Sequence, residues 1–211
     1  MIGKGKSISH GVAALEYDLA KEINGQAVAT EIARHELYGC TGAEMVQEMK
    51  PYHIDFPNVK NNCLRFEVSP SIEESATFTD ADWAELGNDF MQRMGLANHQ
   101  YIIIRHSGTE SKKEQAHLHI LANRVSLSGE LYRDNWIGKK ATEAANAIAK
   151  ERNFVQSQDI GKVNKAEIKE AMDGVLKKMQ GFDFTKFKEE LGKRGFKVRE
   201  ARASTGKLNG Y

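Results

Sequence analysis

Cysteine is almost missing from this chain. Cys40 and Cys63 are the two among 211 residues, and they make no CxxC pair. That excludes a disulfide framework and a zinc ribbon, and it fits a reducing, cytoplasmic setting. Net charge is nearly absent as well: 30 Lys and Arg against 29 Asp and Glu leave +1. Bulk charge therefore announces no nucleic-acid partner, and any such surface must come from local clustering. No apolar run is long enough to span a bilayer, and the N-terminus has no apolar core of a signal peptide. Repeats and low-complexity tracts are lacking too. What is present is ordinary for a globular domain: 40% hydrophobic and 28% charged residues, enough apolar material for a core.

The hydrophobic pattern predicts a first helix after Ser9. Val12, Leu15, Leu19 and Ile23 recur at spacings of three and four. At the helical rotation per residue, Tyr17 lies about 140° from Val12 and off that stripe, so it should face solvent or a cleft, with Lys21 one turn on beside it. Thr41 with Glu44, and Thr79 with Asp82, have capping-box spacing. Trp83, Leu86, Phe90 and Met94 then form a helical stripe that Gly95 closes. Residues 64–69 alternate apolar and polar, which predicts a half-buried strand. The run 100–106 is β-branched and apolar, a central strand, and 117–125 is a second strand after a polar loop at 107–116. An Ala-rich helix is expected over about 141–152 and further helices follow. Residues 196–199 are expected to form an edge strand, and the basic residues between Lys186 and Lys207 either a solvated helix face or a phosphate-contacting edge. Adjacent strands joined by a loop pair antiparallel. The expected fold is α+β, an antiparallel sheet with helices packed on one face. Residues 1–160 would form the core, and 161–211 a helical segment and edge strand of the same domain.

The residues that carry chemistry are His106 and the triplet His117-Leu118-His119. Residues two apart on a strand share a face, so His117, His119, Leu121 and Asn123 line one side. Two imidazoles on one face are good ligands for a divalent metal. His106, ending the preceding strand, could complete a three-histidine set that leaves positions open for substrate or water. A lone His-x-His is weak evidence for a metal site, and a third histidine on the adjacent strand strengthens it.

The run His106 … His117-Leu118-His119 … Asn123-Arg124-Val125 resembles the third motif of relaxases, the mobilization nucleases of the histidine-hydrophobic-histidine (HUH) class. Residues 14–21, Ala-Leu-Glu-Tyr-Asp-Leu-Ala-Lys, are similar to their tyrosine motif. Further matches are Phe66-Glu67-Val68-Ser69-Pro70, Trp83, Gly95 with His99-Gln100-Tyr101, and the terminal residues 206–211. The ordered set spans the chain and is most similar to mobilization relaxases of the Bacteroides type. Two departures stand out. The family's aspartate two residues past the first histidine is replaced by Gly108, so its role is either vacant or served by another acid, with Glu67 and Glu110 the candidates. The family's terminal motif also continues beyond a glycine–aromatic step, so the chain is expected to be a truncated domain.

The resemblance implies an HUH-endonuclease fold with a ferredoxin-like palm. It implies strand-specific nicking of DNA at an origin of transfer through a 5′-phosphotyrosine, which starts conjugative mobilization. Tyr17 would be the nucleophile, and His106, His117 and His119 the metal ligands. Glu67 is the candidate base or the orienter of a ligand. Lys21, Arg105, Asn123 and Arg124 are candidate DNA contacts. The ion expected from the family is Mg²⁺ or Mn²⁺, while imidazole ligands also suit Zn²⁺ or Ni²⁺. The expected partners are single-stranded origin DNA, accessory mobilization proteins and a coupling protein, with no membrane, and the chain is expected to be a monomer. Trp136, Tyr132 and Phe196 are candidate stacking platforms. Rival readings are a rolling-circle replication initiator, a metal-dependent hydrolase without a covalent intermediate, and a DNA-binding module whose histidines are structural.

Overall fold

A computed structural model describes residues 1–108, 115–205 and 208–210. The chain divides into two compact units, Met1–Ser157 and Gln158–Tyr211. The first runs β1 (Ile2–Ile8), α1 (Gly11–Leu19), a short hairpin of β2 (Glu22–Ile23) and β3 (Gln26–Ala27), β4 (Ala29–His35), α2 (Gly42–Met49) and a 3-10 turn (Lys50–His53). It continues with β5 (Cys63–Ser69), α3 (Ile72–Ser75), α4 (Asp80–Arg93), β6 (His99–His106), β7 (His117–Ser126) and α5 (Ile137–Glu151). The second unit holds α6, whose helix starts at Ser157 (Ser157–Leu176), α7 (Phe184–Lys193), β8 (Ala201–Arg202) and β9 (Leu208–Gly210). Among the described residues no helix is long and apolar enough to cross a membrane.

Five strands form one antiparallel sheet in the order β1-β5-β7-β6-β4. The apolar runs expected to be central strands are β6 and β7, and the alternating 64–69 stretch is β5. Both predicted capping boxes are made: Thr41 with Glu44 and Thr79 with Asp82. Ser71 with Glu74 makes a third. Trp83, Leu86, Phe90 and Met94 are all buried, and Gly95 closes α4 at φ +72° with Leu96 N–H donating to the Met91 carbonyl.

The α+β antiparallel architecture is as expected, but helices cover both faces. Leu64, Phe66, Val68, Ile103, Leu118 and Ile120 meet α4 and α5 on one side. Ile102, Ile104, Leu121 and Cys63 meet Ala14 and Leu15 of α1 and Met45, Val46 and Met49 of α2 on the other. Strand alternation sends both sets of side chains inward, and a sheet apolar on both sides needs two covers. The first helix is also shorter than its apolar stripe suggests. It ends at Leu19, Ile23 falls in β2, and Val12 is exposed. Its buried face is Gly11, Ala14, Leu15 and Asp18. In the second unit, residues 196–199 form no strand; Phe196 and Val198 pack on a cluster of Ala171, Val175, Phe187 and Leu191. The small sheet there is β8 with β9.

The edge strand β1 carries Gly3 and Gly5 because α5 lies almost on its backbone. A Cβ at Gly3 would stand 2.5 Å from the Ala141 carbonyl oxygen. Gly3→Ala is therefore expected to cost about 1–3 kcal/mol by overpacking. Gly138→Ala, whose added carbon meets nothing nearer than 3.5 Å, should be neutral or stabilising by up to ~1 kcal/mol. Urea unfolding of the two variants checks this, and equal midpoints would contradict the packing account.

Candidate metal centre

Antiparallel register builds the site. His106 and His117 are direct cross-strand partners at the end of the β6–β7 hairpin, and His119 lies opposite Ile104. All three imidazoles point to the face covered by α1. One nitrogen from each lies within 4.8 Å of the others, and the ring centroids are 4.4 to 5.4 Å apart.

The rings are oriented through their remaining nitrogens. His117 Nδ1 donates to the Gln115 carbonyl at 3.1 Å, and its Nε2 lies 3.1 Å from His119 Nε2. His106 Nε2 donates to the main-chain carbonyl of Asp18 at 2.7 Å. Such hydrogen bonds to a second nitrogen are how proteins aim ligating histidines. Burial pushes His106 below the ordinary imidazole range, against the opposing pull of the Asp18 carbonyl. Burial, with His106 and His117 adding to it, pushes His119 down to about 2. Three imidazoles that each bring one ring nitrogen to a common point suit a divalent ion.

Asp18 is the residue that sequence reasoning passed over. Its side chain is buried, paired with Arg65 through both carboxylate oxygens, and its Oδ1 lies 3.8 Å from His119 Nδ1. Arg65 Nη2 is itself 3.3 Å from that nitrogen. The Arg65 charge adds to the burial that lowers His119. A signal existed: Asp18 continues the Gly11, Ala14, Leu15 stripe, and a carboxylate on a buried stripe must find a partner.

Tyr17 sits next to Asp18 and off that stripe, with 57% of its surface exposed. Lys21 Nζ donates to the phenol oxygen at 2.7 Å. The Lys21 charge also reaches the cluster, since it helps lower His106. Glu36 beside Tyr38, and burial at Tyr101 and Tyr132, raise those groups above the ordinary tyrosine value.

Four expected site residues go elsewhere. Glu67 shares the histidine face as the cross-strand partner of His119, but its carboxylate accepts from Lys4 at 2.8 Å; the acid nearest the imidazoles is Asp18. Asn123 also lies on that face, yet it is fully buried, bonded to His53, Gln100 and the Val125 N–H, so it braces the core and cannot meet DNA. Strand alternation turns Arg105 and Arg124 to the opposite side. Arg105 pairs with Asp80, and Arg124 is spent on Asp134 and the carbonyls of Asn61 and Tyr132. Glu110 lies outside the described residues.

A model of the relaxase family, described as the MobA/VirD2-like nuclease domain, matches residues 17–154, well over half of the chain. The chain belongs to this relaxase family. Two solved structures also match, both of the conjugative relaxase TrwC in complex with oriT DNA. The metal-bound one is 11% identical with a TM-score of 0.39, and the metal-free one is 10% identical with a TM-score of 0.43. Each match covers 98% of this chain and 74% of the other. Likeness at those scores carries no argument. No curated protein sequence matches. The family match takes in Tyr17, Asp18, Arg65 and the three histidines of this relaxase domain.

Buried neutral histidines make the fold acid-sensitive. An unfolded histidine titrates near ~6.5, while His106, His119 and also His99 are held lower by burial. Below about pH 6.5 the unfolded chain takes up protons that the folded one does not, so stability is complete above that value and falls as pH drops. Melting in EDTA from about pH 8 to about pH 5 should show this decline, shallower in His119→Leu. Parallel profiles for the two proteins would contradict it.

Proposed function

We propose that this relaxase domain nicks one strand of DNA at an origin of transfer and keeps the 5′ end on Tyr17. The supporting observation is that Asp18 joins the two halves of the site: its carbonyl holds His106, and the preceding residue is an exposed phenol bonded to a lysine. In this reading the Tyr17 oxygen attacks the scissile phosphorus. A Tyr–O–P bond forms as the bond to the 3′ oxygen breaks. The phenol proton leaves to solvent, and the departing oxygen takes up a proton to become a 3′-OH. The phosphoester is conserved in the adduct, so the step reverses to religate the strand.

The residues of this chain divide the work. Lys21 holds the phenol oxygen and places a positive charge beside the atom that bears negative charge as it attacks. Arg65 fixes the Asp18 carboxylate, and Asp18 in turn fixes His106 and the end of α1. His106, His117 and His119 would hold a divalent ion. When bound, that ion supplies charge stabilisation at the non-bridging oxygens of the phosphate. A donor set of three imidazoles with no carboxylate among them favours Mn²⁺ over Mg²⁺.

End-labelled single-stranded origin DNA tests this. A protein–DNA adduct should form with Mn²⁺, vanish in EDTA, and be undetectable with Tyr17→Phe. His119→Ala should slow it by at least about 10²-fold, the scale of removing one element of transition-state charge stabilisation. Cleavage with no adduct would replace this reading by metal-dependent hydrolysis. Mapping of the adduct to Tyr38, Tyr52 or Tyr101 would overturn the choice of nucleophile.

A further inference from the structure

Trp136 has no part in the site described above, and it is the most exposed large hydrophobic residue of the described chain, at 81%. It also holds a left-handed backbone, φ 59° and ψ 26°, where a bulky side chain rarely settles unless its surroundings impose it. They do impose it. Asp134 accepts from the Ile137 N–H and pairs with Arg124. Arg124 reaches the Asn61 carbonyl, and Asn61 bonds Ser7 of β1. Two residues after Trp136, a Cβ at Gly138 would stand 3.5 Å from the Gly5 carbonyl oxygen, so the start of α5 lies near β1. These bonds hold the backbone on either side of Trp136, and its indole is left open to solvent.

Near Trp136 in sequence, Arg133, Lys139 and Lys140 outnumber Asp134 and Glu143, and Lys139 lies 3.8 Å from the Glu143 carboxylate on an exposed surface. Lys6 is exposed and has no carboxylate partner among the described residues. From this corner β1 leads to the metal centre. Lys6 is the cross-strand partner of Arg65, Lys4 of Glu67, and Glu67 of His119. A cavity of about 210 Å³ opens along that line, with Lys4, Lys6, Arg65 and His119 in its wall.

We infer that Trp136 is a stacking platform for an unpaired base of a DNA single strand that crosses the edge of β1 on its way to the histidines, with Lys6 and Lys139 contacting its phosphates. This rests on the nuclease reading and names a binding subsite for its substrate. A solvent-facing indole with lysines close by in the chain suits an unpaired base, whose face is available only when the strand is single. Tyr132, by contrast, lies half-buried beneath Lys140, and Phe196 packs in the second unit.

Anisotropy of a fluorescein-labelled oligothymidylate with the full chain in EDTA separates binding from cleavage. Trp136→Ala should weaken binding by roughly 5- to 100-fold, the range of one lost base–aromatic stack, and Trp136→Phe should recover most of it. The slope of log affinity against log salt should be unchanged in both. The pair Lys6→Ala with Lys139→Ala should lower that slope by about 1.4, some 0.7 per phosphate contact on a single strand. Unaltered affinity and slope in all variants, while the unsubstituted protein binds the oligonucleotide and, with Mn²⁺, forms its adduct on origin DNA, would overturn this inference alone. Failure of the unsubstituted protein to bind would overturn it together with the nuclease reading.

Discussion

The site depends on one buried carboxylate. Asp18 lies between α1 and the sheet, its side chain paired with Arg65 of β5 and its carbonyl holding His106 of β6. A charge taken that far out of water is tolerable only with a partner and good geometry. Removing one member of such a pair typically costs about 3–5 kcal/mol, because the other is left buried and uncompensated. That penalty holds α1 in one position over the strand ends. Everything on the helix then has a defined direction: Leu15 and Ala14 go into the core, Asp18 to Arg65, and Tyr17, one residue away, outward beside Lys21.

The same interaction bears on the missing family acid. Where relaxases of this class carry an aspartate two residues past the first histidine, this chain has Gly108. Of the two acids the sequence offers in its place, Glu110 lies outside the described residues, and β1 places Lys4 directly opposite Glu67 and draws its carboxylate away. Asp18 is nearer the imidazoles, and no spacing rule around the histidine motif points to it because it arrives from a helix some hundred residues earlier in the chain. It is legible only from the helix itself, as a charged residue in line with buried ones.

Much of the rest could be read directly. Histidines spaced by two on an apolar run, with another at the end of the preceding run, specify a hairpin with three rings on one face, and the register shows that arrangement. Capping pairs and apolar stripes marked α2 and α4. The parts not legible are those decided by tertiary packing. β1 reads as Ile-Gly-Lys-Gly-Lys-Ser-Ile, poor in strand formers, and its glycines are explained by the closeness of α5. Strand β4 is an edge strand with a bulge near Glu31 and weak alternation. Arg105, Arg124 and Asn123 are near the histidines in sequence, but alternation or full burial removes them from the site. Local polarity could not distinguish a bracing side chain from one that meets a ligand.

A crystal structure of the domain with Mn²⁺ and a single-stranded origin oligonucleotide tests the central claim most directly. The account predicts one ion on His106, His117 and His119, the Asp18–Arg65 pair intact, and the Tyr17 oxygen facing the phosphate bound to that ion. An ion bound away from these rings, or Tyr17 turned from the phosphate with Asp18 still in place, would contradict it.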